Sequence, residues 1–299
     1  MSAPEDGLSL AVGLLHEAQH SILNATQYLF DLHQAPATLG YSPWRDDPRP
    51  ASGILHGAYA YLAVARFWRT EARHSGDPLA AFEFARWRAA VAGAADTLLA
   101  GGRLTAAGTR FVTALRERVE PWLAEPVPAD IDRLAAGANA DHRLRWRLRN
   151  LSVPVPAARA LAEAWRAGRP PPAPLPPASV RPGGGRALEQ NARLDLVHRV
   201  VRDGSAPGSA AGAAAGSAPG AAADLAYARG DLSEAASGYR RAIRADPADD
   251  GAWAGLGLTA GEPLLARQPE LVAAIHRAVA AAGPAPEPDA VAAWLAPLG

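Results

Sequence analysis

The chain contains no cysteine, and that absence removes disulfides, thiolate metal sites, iron–sulfur clusters and a cysteine nucleophile together. Any metal must sit among His, Asp, Glu and water. Charge of either sign is not in surplus: 30 basic and 30 acidic side chains leave a formal net charge of zero, so no global field points to nucleic acid or an anionic membrane. No run of about 18 apolar residues exists to span a bilayer. The first residues, with Glu5 and Asp6, show neither a cationic start nor an apolar signal core. These absences predict a soluble, cytoplasmic protein with no nucleic-acid and no membrane partner. Alternating β-branched runs are nearly missing as well, which argues against sheets.

What is present is helical periodicity. Ser9–His33, Gly53–His74, Ala80–Leu99, Ala106–Arg118, Ile131–Leu151 and Ala187–Asp203 carry apolar residues three and four apart. The expected fold class is all-α, and 299 residues suffice for one large domain or two modest ones. The proline-then-glycine stretch Arg169–Arg186 reads as an extended surface linker, and Gly204–Gly220 as disordered low complexity. Beyond it, Gly230, Ala235, Tyr239, Ala242 and Pro247, then Trp253, Leu256 and Gly257, follow the spacing of a tetratricopeptide repeat. Only one unit and the start of another are legible, so the expectation is a helical hairpin docked on the main body. The expected organisation is a metal-binding catalytic domain over 1–168, linkers around one helix over 169–221, and a tetratricopeptide-like helical region over 222–299.

The chemistry concentrates in His16-Glu17-Ala18-Gln19-His20, a HExxH pentad within a predicted helix. Side chains four apart share a helical face, so both imidazoles can reach one cation, with Glu17 turned aside. Gly13, His16, His20, Asn24, Gln27 and Asp31 continue as a polar stripe, and no Lys or Arg occurs from Ser9 to Gln34. Such a stripe suggests an internal polar cavity, with Asn24 and Gln27 as cofactor-binding candidates. The HExxHxxGxxH continuation is absent, because Leu23 and Thr26 hold its Gly and His positions. The third ligand expected is His56, which opens an apolar helix just before Gly57; Glu71 is a weaker choice and His142 a reserve. Leading into His56, Tyr41–Pro50 reads as a proline-locked loop. Its Arg45 and Arg49 either bind a carboxylate bidentately or pair with Asp46 and Asp47. In His142–Asn150, four arginines alternate along a helix, with Arg147 available to an acidic cosubstrate.

Taken together, LLHEAQHSILN, YSPWRDDPRP, GILHGAYA and HRLRWRLR resemble the HExxH-domain peptide β-hydroxylases over roughly Leu10–Leu151. The resemblance implies an Fe(II)- and 2-oxoglutarate-dependent enzyme that uses O2 to hydroxylate a ribosomally made precursor peptide. Such enzymes are often encoded beside or fused to a radical SAM peptide maturase. It implies His16, His20 and His56 as iron ligands and Glu17 beside them, with Arg45 or, second, Arg147 on the distal carboxylate of 2-oxoglutarate. Members usually carry a longer segment before the motif, so a shortened member or a fragment is expected. The alternative from HExxH alone is a zinc peptidase with Glu17 as general base.

Overall fold

A computed structural model describes residues 7–35, 38–181, 191–203 and 220–298. The glycine-rich end of the first linker, the start of the helix expected from Ala187, and most of Gly204–Gly220 lie outside them. Among the described residues thirteen α-helices and two small two-stranded sheets make the protein mainly α. The chain divides into two compact units, Met1–Asn139 and Ala140–Gly299.

In the first unit, α1 (Gly7–Gln27) is followed by strands β1 (Gly40–Ser42) and β2 (Arg45–Arg49), then α2 (Ala51–Ser75), α3 (Pro78–Ala100) and α4 (Ala106–Leu123). Local chemistry sets the helix ends. Gly76 closes α2 in the left-handed region at φ 68°, its N–H donating to the Ala72 carbonyl. Asp77 then caps α3 by accepting from the Leu79 N–H, with Pro78 in the first turn. Helix α3 packs against both α2 and α4 and is buried along most of its length. Its buried Arg88 donates to the carbonyls of Trp122 (2.7 Å) and Glu125 (2.6 Å), tying down the end of α4.

Helix α1 departs from expectation in two ways. It stops at Gln27 instead of His33, so Asp31 leaves the polar stripe. The chain turns away because Leu32 inserts into the core while its neighbours pair with the 103–105 segment. The Gln34 N–H donates to the Arg103 carbonyl, the Thr105 N–H to Leu32, and the Thr105 hydroxyl to Asp31. Gly108 is needed there, since a Cβ would overlap the Leu32 carbonyl. Second, α1 buries only Leu23 completely, leaving Leu10, Leu14 and Ile22 about half exposed or more.

The segment read as a proline-locked loop is a β-hairpin turning at Pro43–Trp44. Arg45, Asp47 and Arg49 alternate onto one face of β2, which periodicity by hydrophobicity does not reveal.

Helix α5 (Ala129–Asn150) carries the division between the units. In the second unit β3 (Leu151–Ser152) pairs antiparallel with β4 (Ser179–Val180), so residues 169–181 are partly strapped onto this unit and do not form a free linker. The Arg181 N–H donates to the Asn150 carbonyl and Arg181 Nε to that of Leu151. Helix α6 (Val155–Arg166) packs on α12 (Pro269–Ala280); α7 (Ala192–Asp203), α8 (Ala221–Arg229), α9 (Leu232–Ala245) and α10 (Asp250–Thr259) pack in succession. Two further helices, α11 (Pro263–Arg267) and α13 (Pro288–Leu295), complete the unit. Tyr239 is fully buried, and Gly255 gives its ring room.

Arg193 of α7 is the polar centre of this unit. It is 2% exposed and donates to Asp141, to Asp224 (2.8 Å), to the Tyr239 hydroxyl (3.1 Å) and to the Gly251 carbonyl (2.8 Å). Burial works against the charge of Asp141, but the Arg193 and Arg145 guanidinium groups and the Asn191 hydrogen bond together outweigh it and hold the carboxyl below the usual range. No helix among the described residues is long and apolar enough to cross a membrane.

Candidate metal centre

The stripe on α1 faces α2, and the structure brings three of its members together with His56. His16 and His20 are half-buried, and their Nε2 atoms lie 2.9 Å apart. That separation matches two ligands at right angles on one ion, about 3 Å for bonds of about 2.1 Å. The His20 ring is 5.7 Å from that of His56, centroid to centroid. His56 Nε2 is in turn 2.7 Å from Gln27 Oε1, its hydrogen-bond partner. Burial pushes the pKa of His16 down, with His20 adding to the effect and Glu17 opposing it. Burial, then His20 and His33, push that of His56 down as well. Both rings are therefore held neutral, the form in which imidazole binds a metal.

The donor set fits a divalent transition metal, though it is not fully assembled. Among the described residues no group of three His, Cys, Asp or Glu is closed enough to hold an ion. His16 and His20 already converge, whereas His56, to join them on one ion, would have to give up its hydrogen bond to Gln27. Gln27 thus sits in the position of a partner that orients or releases a ligand.

Around the imidazoles stands a column of rings. Tyr61 of α2 meets His16 edge-on at 5.2 Å, stacks on Trp44 at 5.1 Å, and lies 4.2 Å from Trp87 of α3. The Trp44 indole lies against the α2 backbone at Gly57, where any Cβ would overlap it. This accounts for the glycine that follows His56. Burial pushes the Tyr61 hydroxyl up, against the opposing field of Arg86.

The remaining predicted residues fall elsewhere. Glu17 and Asn24 are on the exposed flank of α1. Arg45 donates to Asp47 at 2.8 Å and Arg49 to the same carboxylate at 3.2 Å, so these arginines pair within their own hairpin. Burial raises the Asp47 pKa, but the hydrogen bonds from Arg45 and Arg49 outweigh it and hold the group ionised. Arg147 lies in the second unit and donates through Nε (2.9 Å) and a terminal nitrogen to Glu270. His142 belongs to that unit too. Glu71 is on α2, 15 residues beyond His56, which at the helical rise is about 22 Å along the axis.

A groove of about 420 Å³ lies between α1, α2 and α4, with Leu15, Gln19, Tyr59, Phe67, Arg118 and Trp122 among its walls and none of the three imidazoles lining it. Sequence reasoning missed this groove and also Arg86. Two arginines two places apart in an alanine-rich helix give no local sign of their burial.

No protein-family model, no curated protein and no solved structure matches this chain.

Proposed function

We propose that this protein is an Fe(II)- and 2-oxoglutarate-dependent oxygenase that hydroxylates a β-carbon of a ribosomally made precursor peptide, alongside a radical SAM maturase. The observation that carries the reading is the convergence of His16 and His20 next to His56, three imidazoles without a carboxylate among them. A neutral ligand set leaves the ion its full charge, which suits a dianionic chelating cosubstrate. The resemblance of the four motifs supplies the reaction class. When bound, iron would couple the oxidation of 2-oxoglutarate by O2 to succinate and CO2 with insertion of the second oxygen atom into a C–H bond.

The chain's own residues do the rest. His16 and His20 would hold the ion from α1, and His56 would join them from α2 in place of its hydrogen bond to Gln27. Trp44 and Tyr61 wall the centre on one side and restrict water. The groove walled by Leu15, Gln19, Tyr59 and Phe67 offers an extended peptide a seat next to α1, whose His16 and His20 adjoin Leu15 and Gln19 in sequence. A distal carboxylate at Arg45 must compete with Asp47, and one at Arg147 with Glu270.

A zinc peptidase is the second reading, favoured by Glu17 lying near enough to act electrostatically on His16. Its exposure speaks against it, because a general base works beside the metal-bound water. Protein purified without oxygen is analysed for metal and assayed for succinate formation. His16→Ala is expected to abolish both metal loading and turnover, whereas Glu17→Gln retains measurable turnover. Loss of all turnover in Glu17→Gln with metal fully loaded, together with zinc-dependent peptide cleavage, would select the peptidase.

A further inference from the structure

Arg86 of α3 is 8% exposed, yet its Nε has no hydrogen-bond partner and its guanidinium forms no ion pair among the described residues. Its guanidinium carbon lies 4.3 Å from the centroid of the Trp87 ring. A π-face steadies a cation but accepts none of its five N–H donors in the plane of the fork. A buried charge left in this state is costly, and such a group in a native fold calls for an absent partner. That partner is an acceptor-rich anion.

Position narrows the choice. Trp87, under Arg86, touches Tyr61, and Tyr61 meets His16. Arg86 therefore stands at the end of the ring column that walls the imidazole centre. Unlike Arg45 and Arg49, it has no Asp47 to satisfy it. Its planar fork matches a carboxylate bidentately.

We infer that Arg86 is the cation that receives a carboxylate at this centre. The inference rests on the oxygenase reading for the name of its ligand, the distal carboxylate of 2-oxoglutarate; an acidic side chain of the peptide would offer the same chemistry.

Wild type, Arg86→Met and Arg86→Lys are loaded with Co(II) and titrated calorimetrically with three probes. These are 2-oxoglutarate, 2-oxobutyrate (the keto acid without the distal carboxylate) and N-acetylaspartate amide (an acidic side chain without the keto acid). Arg86→Met is expected to weaken 2-oxoglutarate at least ten-fold and Arg86→Lys less, while 2-oxobutyrate binds all three alike. A loss confined to the acidic amide assigns the same guanidinium to a side chain of the peptide. Unchanged affinity for both carboxylate probes overturns the inference, as does a wild type that binds neither. Failure of the wild type to load Co(II) sinks the iron reading instead. Thermal unfolding of the metal-free proteins then decides Arg86 by itself. Removing a buried, unpaired cation leaves Arg86→Met at least as stable as wild type, whereas a guanidinium with a purely structural role makes it less stable and overturns the inference.

Discussion

A single buried imidazole of the second unit carries the clearest pH dependence. His276 is fully buried; its Nε2 bonds to the Pro286 carbonyl at 3.0 Å, and its Nδ1 has no partner. Burial lowers its pKa below the ordinary 6.5, with the Pro286 carbonyl opposing and Arg277 adding to the shift. The unfolded chain therefore takes up the proton first. This contribution to stability is complete above about pH 6.5 and is lost as the pH falls toward the lowered folded value. Urea midpoints measured between pH 7 and pH 5 are expected to fall in the wild type and to fall less in His276→Gln. Parallel curves would show that the imidazole titrates alike in the folded and the unfolded chain. At this scale the His16–His20 pair was legible, because four residues make one helical turn. Arg86 was not: its solitude is created by α2 and α3 packing together, and no local pattern encodes it.

Among the elements, α1 is the one least held by apolar burial. Leu23 alone is wholly covered, and Leu10, Leu14 and Ile22 remain open. The helix lies on α2 largely through its polar stripe, and a metal joining His16 and His20 to His56 would pin the two helices at that point. Ligand at a hundred times its dissociation constant stabilises the bound state by about 2.7 kcal/mol, so cleavage through opened α1 should slow by up to about a hundred-fold. Limited proteolysis with and without metal tests this, and His56→Ala should lose most of the protection. Equal cleavage rates with metal bound would mean that the ion does not bridge α1 and α2. Element type was mostly readable from apolar spacing in α2, α3 and α4. The hairpin was not, since β2 reads Arg-Asp-Asp-Pro-Arg and its stability comes from Asp47 held between two arginines. The early end of α1 was equally hidden, being imposed by Leu32 and the 103–105 segment.

For the molecule as a whole, the chain has no lysine, so every one of its fixed cations is a planar guanidinium. The fold uses that shape where charge is buried, most of all at Arg193, which gathers partners from α5, α8, α9 and α10. Arg193→Met leaves Asp141 buried without its main counter-charge and is expected to cost about 3–5 kcal/mol. Chemical denaturation measures that cost, and a loss below about 1 kcal/mol would mean that Arg145 and Asn191 suffice for Asp141. The division of the chain was the least legible feature. Nothing in the α5 sequence breaks at Asn139, because one uninterrupted helix crosses the boundary. The proline-rich stretch read as a surface linker contributes β4 to the second unit.

The ring column beside His16 also gives the centre an optical signature. Trp44 and Trp87 are two of eight tryptophans, and both touch Tyr61, which touches His16. An open-shell ion such as Fe(II) or Co(II) held by that imidazole drains the excited states of nearby indoles, whereas closed-shell Zn(II) leaves them emitting. Filling of the centre by such an ion would therefore dim part of the protein's ultraviolet emission, and the choice of ion could be read with no substrate in hand.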